Sequence, residues 1–206
     1  KGKQSYRRPK AVTVDGDWSN GAFFLTAGAL RAPVTVTGLF PDSTQGDKAI
    51  LQVLSRMGAK VTRQENTVTV SPAPLHGVTV DASDIPDLVP ILSVAAAYAD
   101  GVTEFTNAGR LRIKECDRLS AISEMLGNLG IPTEETADTL RVYGGTVQGG
   151  TVQGFNDHRM VMSVAVAASA AHGAVAVQGA EAIRKSYPHF FEDFKLLGGK
   201  ANVLDS

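Results

Sequence analysis

Between Ile113 and Arg118 the chain reads IKECDR, with charge at four of six positions. Glu115 and Asp117 are carboxylates held beside Lys114 and Arg118. A carboxylate tuned by neighbouring charge can move a proton in general acid–base chemistry. The cations beside it can hold an anionic substrate, with the arginine fork suited to carboxylate and phosphate. Three further polar clusters carry the same residue types: SDIPD (83–87), NDHR (156–159) and RKSYP (184–188). Together Lys114, Arg118, Arg159 and Lys185 point to a small ligand bearing several negative charges.

Other readings stand beside this one. Asp17, Asp47, Asp84 and Asp157 sit where acidic residues cap helices, each worth about 1 kcal/mol. IKECDR alone would serve as a surface ion-pair patch. Asp81, Asp84 and Asp87 suggest a metal, but no His or Cys accompanies them. Cys116 would be a nucleophile only with a base, and none lies near it in sequence.

These clusters must be positioned by regular elements, and the chain repeats its elements. Asp17, Asp87 and Asp157 recur at a spacing of 70 residues, and each opens an Ala-rich helix that is apolar nearly all round. Such helices are buried. A short β-prone run follows each, at 33–39, 101–107 and 173–179. A second, amphipathic helix comes next, with Ile50, Val53, Leu54 and Met57 in the first unit, Leu119, Ile122, Leu126 and Leu129 in the second, and Phe190, Phe194 and Leu197 in the third. Gly58, Gly130 and Gly198 suit the C-caps. Hairpins are expected around Glu65-Asn66 and Ala137-Asp138; the third unit has only KANVLDS. GGTVQGGTVQG (144–154) reads as two short β segments joined by flexible glycines. The fold class is α/β (α+β), with three helices packed inside and small sheets around them. Every polar cluster opens a helix, and pseudo-threefold packing would bring these helix starts, with their unpaired N–H groups, onto one anion-binding face.

Bulk properties narrow the function classes. A net charge of −1 gives no global case for nucleic acid or an anionic membrane. The single cysteine, Cys116, excludes an intramolecular disulfide and favours a reducing compartment. The longest apolar stretch, from Met160, breaks at His172-Gly173, short of the ~20 residues a spanning helix needs. The opening KGKQSYRRPK carries five basic residues and no acid, as a solvated arm or a strand belonging to another lobe; no signal peptide and no methionine precede it, which suggests a piece of a longer chain.

RIKECDRLSAI, GFNDHRMVMS and RKSYPHFFEDF, in this order, with GDWSNGAFF and TQGD, resemble the C-terminal lobe of the 5-enolpyruvylshikimate-3-phosphate (EPSP) synthase family. The sister UDP-N-acetylglucosamine enolpyruvyl transferases share the repeated fold but are not expected to carry this set. The resemblance implies an enolpyruvyl transferase lobe of three βαβαββ units occupying 16–206, with 1–15 as hinge and strand leading from the other lobe, and a hinge near Val14 to Asp17. It implies transfer of the enolpyruvyl group of phosphoenolpyruvate to the 5-hydroxyl of shikimate 3-phosphate, in the shikimate pathway of aromatic amino acid biosynthesis. It also implies release of phosphate, no metal or organic cofactor, no nucleic-acid or membrane partner, a cytoplasmic location and a target for glyphosate. By position, Asp87 would contact the shikimate ring and accept the proton of the 5-hydroxyl. Lys114 would bind shikimate 3-phosphate, and Glu115 would move a proton at the methylene carbon of phosphoenolpyruvate. Arg118, Arg159 and Lys185 would hold phosphoenolpyruvate, with Asp157 and His158 in support and Asp117 orienting Arg118 or capping its helix. Arg110 departs from the asparagine of some relatives that touches the shikimate ring, and Cys116 falls where relatives carry Ser, Thr or Cys. The other lobe would complete the site, so the chain alone is expected to be inactive. A non-catalytic anion-binding domain and a part of a multifunctional polypeptide are the alternatives.

Overall fold

The computed structural model describes residues 2–5, 7 and 11–204. Part of the basic opening segment, including Lys1, Arg8 and Lys10, lies outside the described residues. The first unit comprises α1 (Trp18–Leu30), β1 (Val34–Thr37), α2 (Ile50–Arg56), β2 (Lys60–Gln64) and β3 (Thr67–Ser71). The second comprises β4 (Thr79–Asp81), α3 (Val89–Ala97), β5 (Val102–Thr106), α4 (Arg118–Asn128), β6 (Thr133–Glu135) and β7 (Leu140–Tyr143). The third comprises β8 (Gly150–Gln153), α5 (His158–Ala168), β9 (Val175–Gln178) and α6 (Phe190–Leu196). Among the described residues only the second unit has the full βαβαββ set.

Each unit builds its own small sheet. The first is antiparallel in the order β1-β3-β2. The second runs β4-β5-β7-β6, with β4 parallel to β5 and the rest antiparallel. The third is the parallel pair β8-β9. The parallel pairs arise because a helix crosses between their strands, as a βαβ connection requires. β4 was invisible to pattern reading because three residues are too few to show a period of two.

α1, α3 and α5 pack against one another at the centre. All nine residues of α3 are buried, as a helix without a polar face must be. Ala95, Ala96 and Ala97 keep its surface small enough for close approach by its neighbours. α2, α4 and α6 lie outside and bury one face each. Phe190 of α6 stacks on Phe194 and meets Phe23 and Phe24 of α1. Gly58, Gly130 and Gly198 follow these outer helices at φ of 108°, 83° and 90°, the left-handed conformation that terminates a helix cheaply only for glycine.

Several expectations change. Only the second TVQG forms a strand, and Gly144, Gly149, Gly150 and Gly154 are sites of close packing rather than flexible joints. A Cβ on Gly144 would lie 1.7 Å from the Ala99 carbonyl oxygen, and one on Gly149 would lie 2.5 Å from that of Ala174. RKSYP does not open α6: Lys185 ends a separate 3-10 segment (Ala180–Lys185) and α6 starts at Phe190. Residues 11–15 form no strand. Asp15 instead accepts hydrogen bonds from the Phe40 amide (3.1 Å), Gln45 Nε2 (2.9 Å) and the Ser43 hydroxyl. Gln45 in turn donates to the Gly16 carbonyl and accepts from the Trp18 amide. The stretch from Asp15 to Trp18 is thereby fastened to the loop beside it. Gly144→Ala should cost on the order of 3 kcal/mol, since backbone must move to admit the methyl; urea unfolding of the variant checks this.

Candidate functional site

Local sequence fixes where each charged group starts. Asp87 lies in a one-turn 3-10 segment (Pro86–Leu88) that leads into α3, with Pro86 setting the entry. Lys114 follows a second 3-10 segment (Gly109–Ile113) in extended backbone, and Glu115 comes next. Asp117 is the N-cap of α4, accepting from the Ser120 amide, and Arg118 is that helix's first residue. Asp157 is the N-cap of α5, accepting from the Arg159 amide, and His158 and Arg159 begin that helix. Of the four expected caps, Asp17 and Asp157 cap their helices. Asp47 lies inside a 3-10 turn and bonds the Ser19 hydroxyl, and no side-chain cap bond marks the start of the segment after Asp84.

Packing of α3, α4 and α5 brings these starts together on Arg118, which is fully buried. Its Nε donates to Asp157 Oδ2 at 2.7 Å and its Nη2 to Asp157 Oδ1 at 3.3 Å. Nη1 donates to Asp87 Oδ1 at 2.7 Å, and Nη2 to Glu115 Oε2 at 2.5 Å. Asp87 also meets Lys114 Nζ at 3.1 Å and Arg159 Nη2 at 3.5 Å. Lys185 Nζ donates to the Asn156 carbonyl at 2.5 Å, next to the Asp157 cap. Asn20, in the first turn of α1, donates to the Ser186 hydroxyl and ties the first unit to the third. Asp87, Lys114, Glu115, Arg118, Asp157 and Arg159 are thus one ion-pair network drawn from two units, with Lys185 at its margin.

The electrostatics divide the carboxylates. Burial opposes the charge of Asp157, but the Arg118 guanidinium and the Arg159 amide outweigh it and hold its carboxyl below the ordinary range. Burial likewise opposes the charge of Asp87, and Arg159, Lys114 and Arg118 overcome it. Asp47 goes the other way: burial raises it, and the charges of Asp87 and Asp17 add to that against Ser19 and Arg159. Burial and Arg159 lower His158, favouring a neutral ring whose buried Nδ1 has no hydrogen-bond partner among the described residues and lies 3.9 Å from Asp157 Oδ1. Burial and Asp157 push the Cys116 thiol up to about 12, so it stays protonated and is a poor nucleophile. Its Sγ lies 3.6 Å from Asp157 Oδ2.

The sequence reading took Asp47 for a cap and missed Arg112. Asp47 belongs to the electrostatic surroundings of Arg159 and Asp87 and not to a helix cap; the signal was its place in TQGD, just before the first outer helix as KECDR is before the second. Of the two roles expected for Asp117 the helix cap is the one it fills, and it pairs with Arg112, whose Nη1 donates to both its oxygens at 3.0 and 2.9 Å. Arg110 turns away toward the Ser83 carbonyl, 3.4 Å off. Among the described residues no three His, Cys, Asp or Glu side chains are grouped to hold a metal ion, and no helix is long and apolar enough to cross a membrane.

The arrangement holds two half-exposed carboxylates, Asp87 and Glu115, on neighbouring nitrogens of one buried guanidinium, with Lys114 and Arg159 beside them. It can bind anions and move protons. Removing Arg118 strands Asp157 without its partner, a loss of about 3–5 kcal/mol for a buried pair; Arg118→Gln should show it in urea at pH 7. The depressed Asp157 carboxyl contributes stability that is complete above the unfolded value and is lost as pH falls through the folded one. Asp47 has the opposite sign: its raised value favours the protonated native form, and that advantage disappears as pH rises through it. Asp47→Asn should therefore stabilise the chain at pH 7 where Asp157→Asn destabilises it, and urea midpoints across pH 3–7 separate the two.

Comparison with known proteins agrees with this geometry. Residues 1–194 match the family model described as EPSP synthase (3-phosphoshikimate 1-carboxyvinyltransferase). The 3-phosphoshikimate 1-carboxyvinyltransferase of Clostridium kluyveri is 42% identical over 201 residues, covering 97% of this chain and 47% of the relative. That of Clostridioides difficile is 43% identical over 202 residues, covering 97% and 46%. The chain spans about half the length of the curated relatives it matches. The EPSP synthase structure from Acinetobacter baumannii superposes with a TM-score of 0.85 at 27% identity, covering 93% of this chain and 48% of that one. The enolpyruvyl transferase NikO from Streptomyces tendae gives 0.78 at 27% identity, covering 92% and 44%.

Proposed function

We propose that this chain, which belongs to the EPSP synthase family, is the half of such an enzyme that supplies its proton-transfer carboxylates. The complete enzyme would transfer the enolpyruvyl group of phosphoenolpyruvate to the 5-hydroxyl of shikimate 3-phosphate. The observation that carries this is the sharing of Arg118 by Asp87 and Glu115. In the proposed step Asp87 takes the proton of the attacking 5-hydroxyl, whose oxygen bonds to the central enol carbon while Glu115, in its acid form, gives a proton to the methylene carbon. Elimination then breaks the bond from that central carbon to the phosphate oxygen, the Glu115 carboxylate takes a proton back from the methyl group so formed, and phosphate leaves.

The network is self-neutralised: Lys114, Arg118 and Arg159 face Asp87, Glu115 and Asp157. An anion reaching Arg118 must displace Asp87 or Glu115, which are 33% and 37% exposed, and not Asp157, which is 0% exposed. Phosphoenolpyruvate held by Arg118, Arg159 and Lys185 would therefore free both carboxylates for chemistry as it binds. Lys114 would neutralise shikimate 3-phosphate, with Asp157 and His158 in support. The hinge expected near Val14 to Asp17 would lie before Asp15, since Asp15 to Trp18 are fastened to the loop at 40–45.

The chain should release no phosphate alone from shikimate 3-phosphate and phosphoenolpyruvate, and should do so once mixed with a separately produced N-terminal half. Release by the chain alone would overturn the half-site reading; none from the mixture, with both parts folded, would favour the non-catalytic anion-binding alternative. In an active mixture Glu115→Gln should lower kcat by about 10²-fold or more, while Lys185→Ala should chiefly raise KM for phosphoenolpyruvate.

A further inference from the structure

We propose that Arg112, which touches none of the groups assigned to substrate, is the positioning residue that holds Lys114 and Glu115 in the site. The proposal rests on the reading of those two residues as substrate-facing. Within the segment from Ile113 to Cys116 the inward anchor besides the charged pairs is Cys116, half-buried against the core with Sγ 3.6 Å from Asp157 Oδ2. Ile113 is 84% exposed, so apolar burial does not anchor it. Residues 114–116 make no backbone–backbone hydrogen bond among the described residues. Lys114 and Glu115 point to Asp87 and Arg118, partners that an entering anion would compete for.

Arg112 closes this segment from the outside. Its guanidinium grips both oxygens of Asp117, five residues on, and donates to Ser120 Oγ at 3.0 Å. It also donates to the Thr136 carbonyl and, through Nε at 3.4 Å, to that of Ala137. Glu135 Oε1 lies 3.6 Å from it. One side chain thus binds the end of the 3-10 segment, the start of α4 and the β6–β7 turn, and residues 113–116 become a loop with fixed ends. Arg118 holds the inner side of the loop only while no anion displaces Glu115; Arg112 holds the outer side throughout. A lysine would keep the charge but not the fork.

Cys116 is the chain's one cysteine, so its thiol reports on this loop alone. The test compares the intact chain with Arg112→Gln and Arg112→Lys, following alkylation of Cys116 by iodoacetamide against pH and amide hydrogen exchange along the chain. In the parent the alkylation profile should rise toward a thiol value of about 12. In Arg112→Gln it should move down toward the ordinary thiol value as the loop leaves Asp157. Each unit of that fall gives about tenfold more thiolate at pH 8 and, because a less basic thiolate is a weaker nucleophile, about three- to fourfold faster alkylation. The amides of Ser120 and Ala121, which Asp117 holds, should exchange faster while those of α3 and α5 do not change, and Arg112→Lys should restore part of the difference. An unchanged profile and unchanged exchange in Arg112→Gln would overturn the proposal. So would acceleration spread evenly through α3 and α5, which would make Arg112 a general stabilising residue. Neither readout depends on turnover, so failure of the enolpyruvyl-transfer reading would leave this result interpretable.

Discussion

The pairing of Arg118 with Asp157 inside the protein is the constraint on which the rest depends. Both side chains are buried, and the guanidinium meets the carboxylate through two nitrogens. A charge removed from water must be paired and hydrogen-bonded or it is not tolerated. That requirement fixes the start of α4 against the start of α5, because Arg118 is the first residue of one and Asp157 the cap of the other. Asp157 takes Nε and part of Nη2, which it shares with Glu115, and Nη1 is left for Asp87. One planar group thus carries a fully buried carboxylate and two partly exposed ones.

The repeat explains how such a site arises without a deep pocket in one domain. Three apolar helices pack at the centre and must present their ends together. The helix starts carry the polar residues, since a buried helix has no other place for them. The outer helices then add KECDR beside the starts of α3 and α5. Each unit contributes in proportion to what its helix start holds. The second and third give the ion-pair network, and the first gives Asp17, Ser19 and Asp47 around it.

Asp47 and Asp157 illustrate how position decides the behaviour of one residue type. Both are carboxylates near helix starts, and burial opposes the charge of each. At Asp157 the Arg118 guanidinium outweighs burial; at Asp47 the Ser19 hydroxyl and Arg159 do not, with Asp87 and Asp17 adding to it. A site that holds carboxylates of opposite tendency within one charge cluster is suited to proton movement.

The sequence by itself determined the repeat, the buried character of α1, α3 and α5, the outer amphipathic helices with their terminal glycines, and the residue types gathered at the helix starts. These are local properties: a period of 3.6, an αL glycine and a cap are written within a few residues. It also carried the family likeness, through KECDR, NDHR and KSYP. Tertiary structure alone decided which charges meet. That Arg118 is buried on Asp87 and Asp157 as well as Glu115, that Arg112 reaches the β6–β7 turn, that Arg159 acts on Asp47 and that Gly144 leaves no room for a methyl all depend on segments far apart in the chain. Coulombic and steric contacts act through space at a few ångströms, and no spacing along a sequence encodes them until the helices are packed.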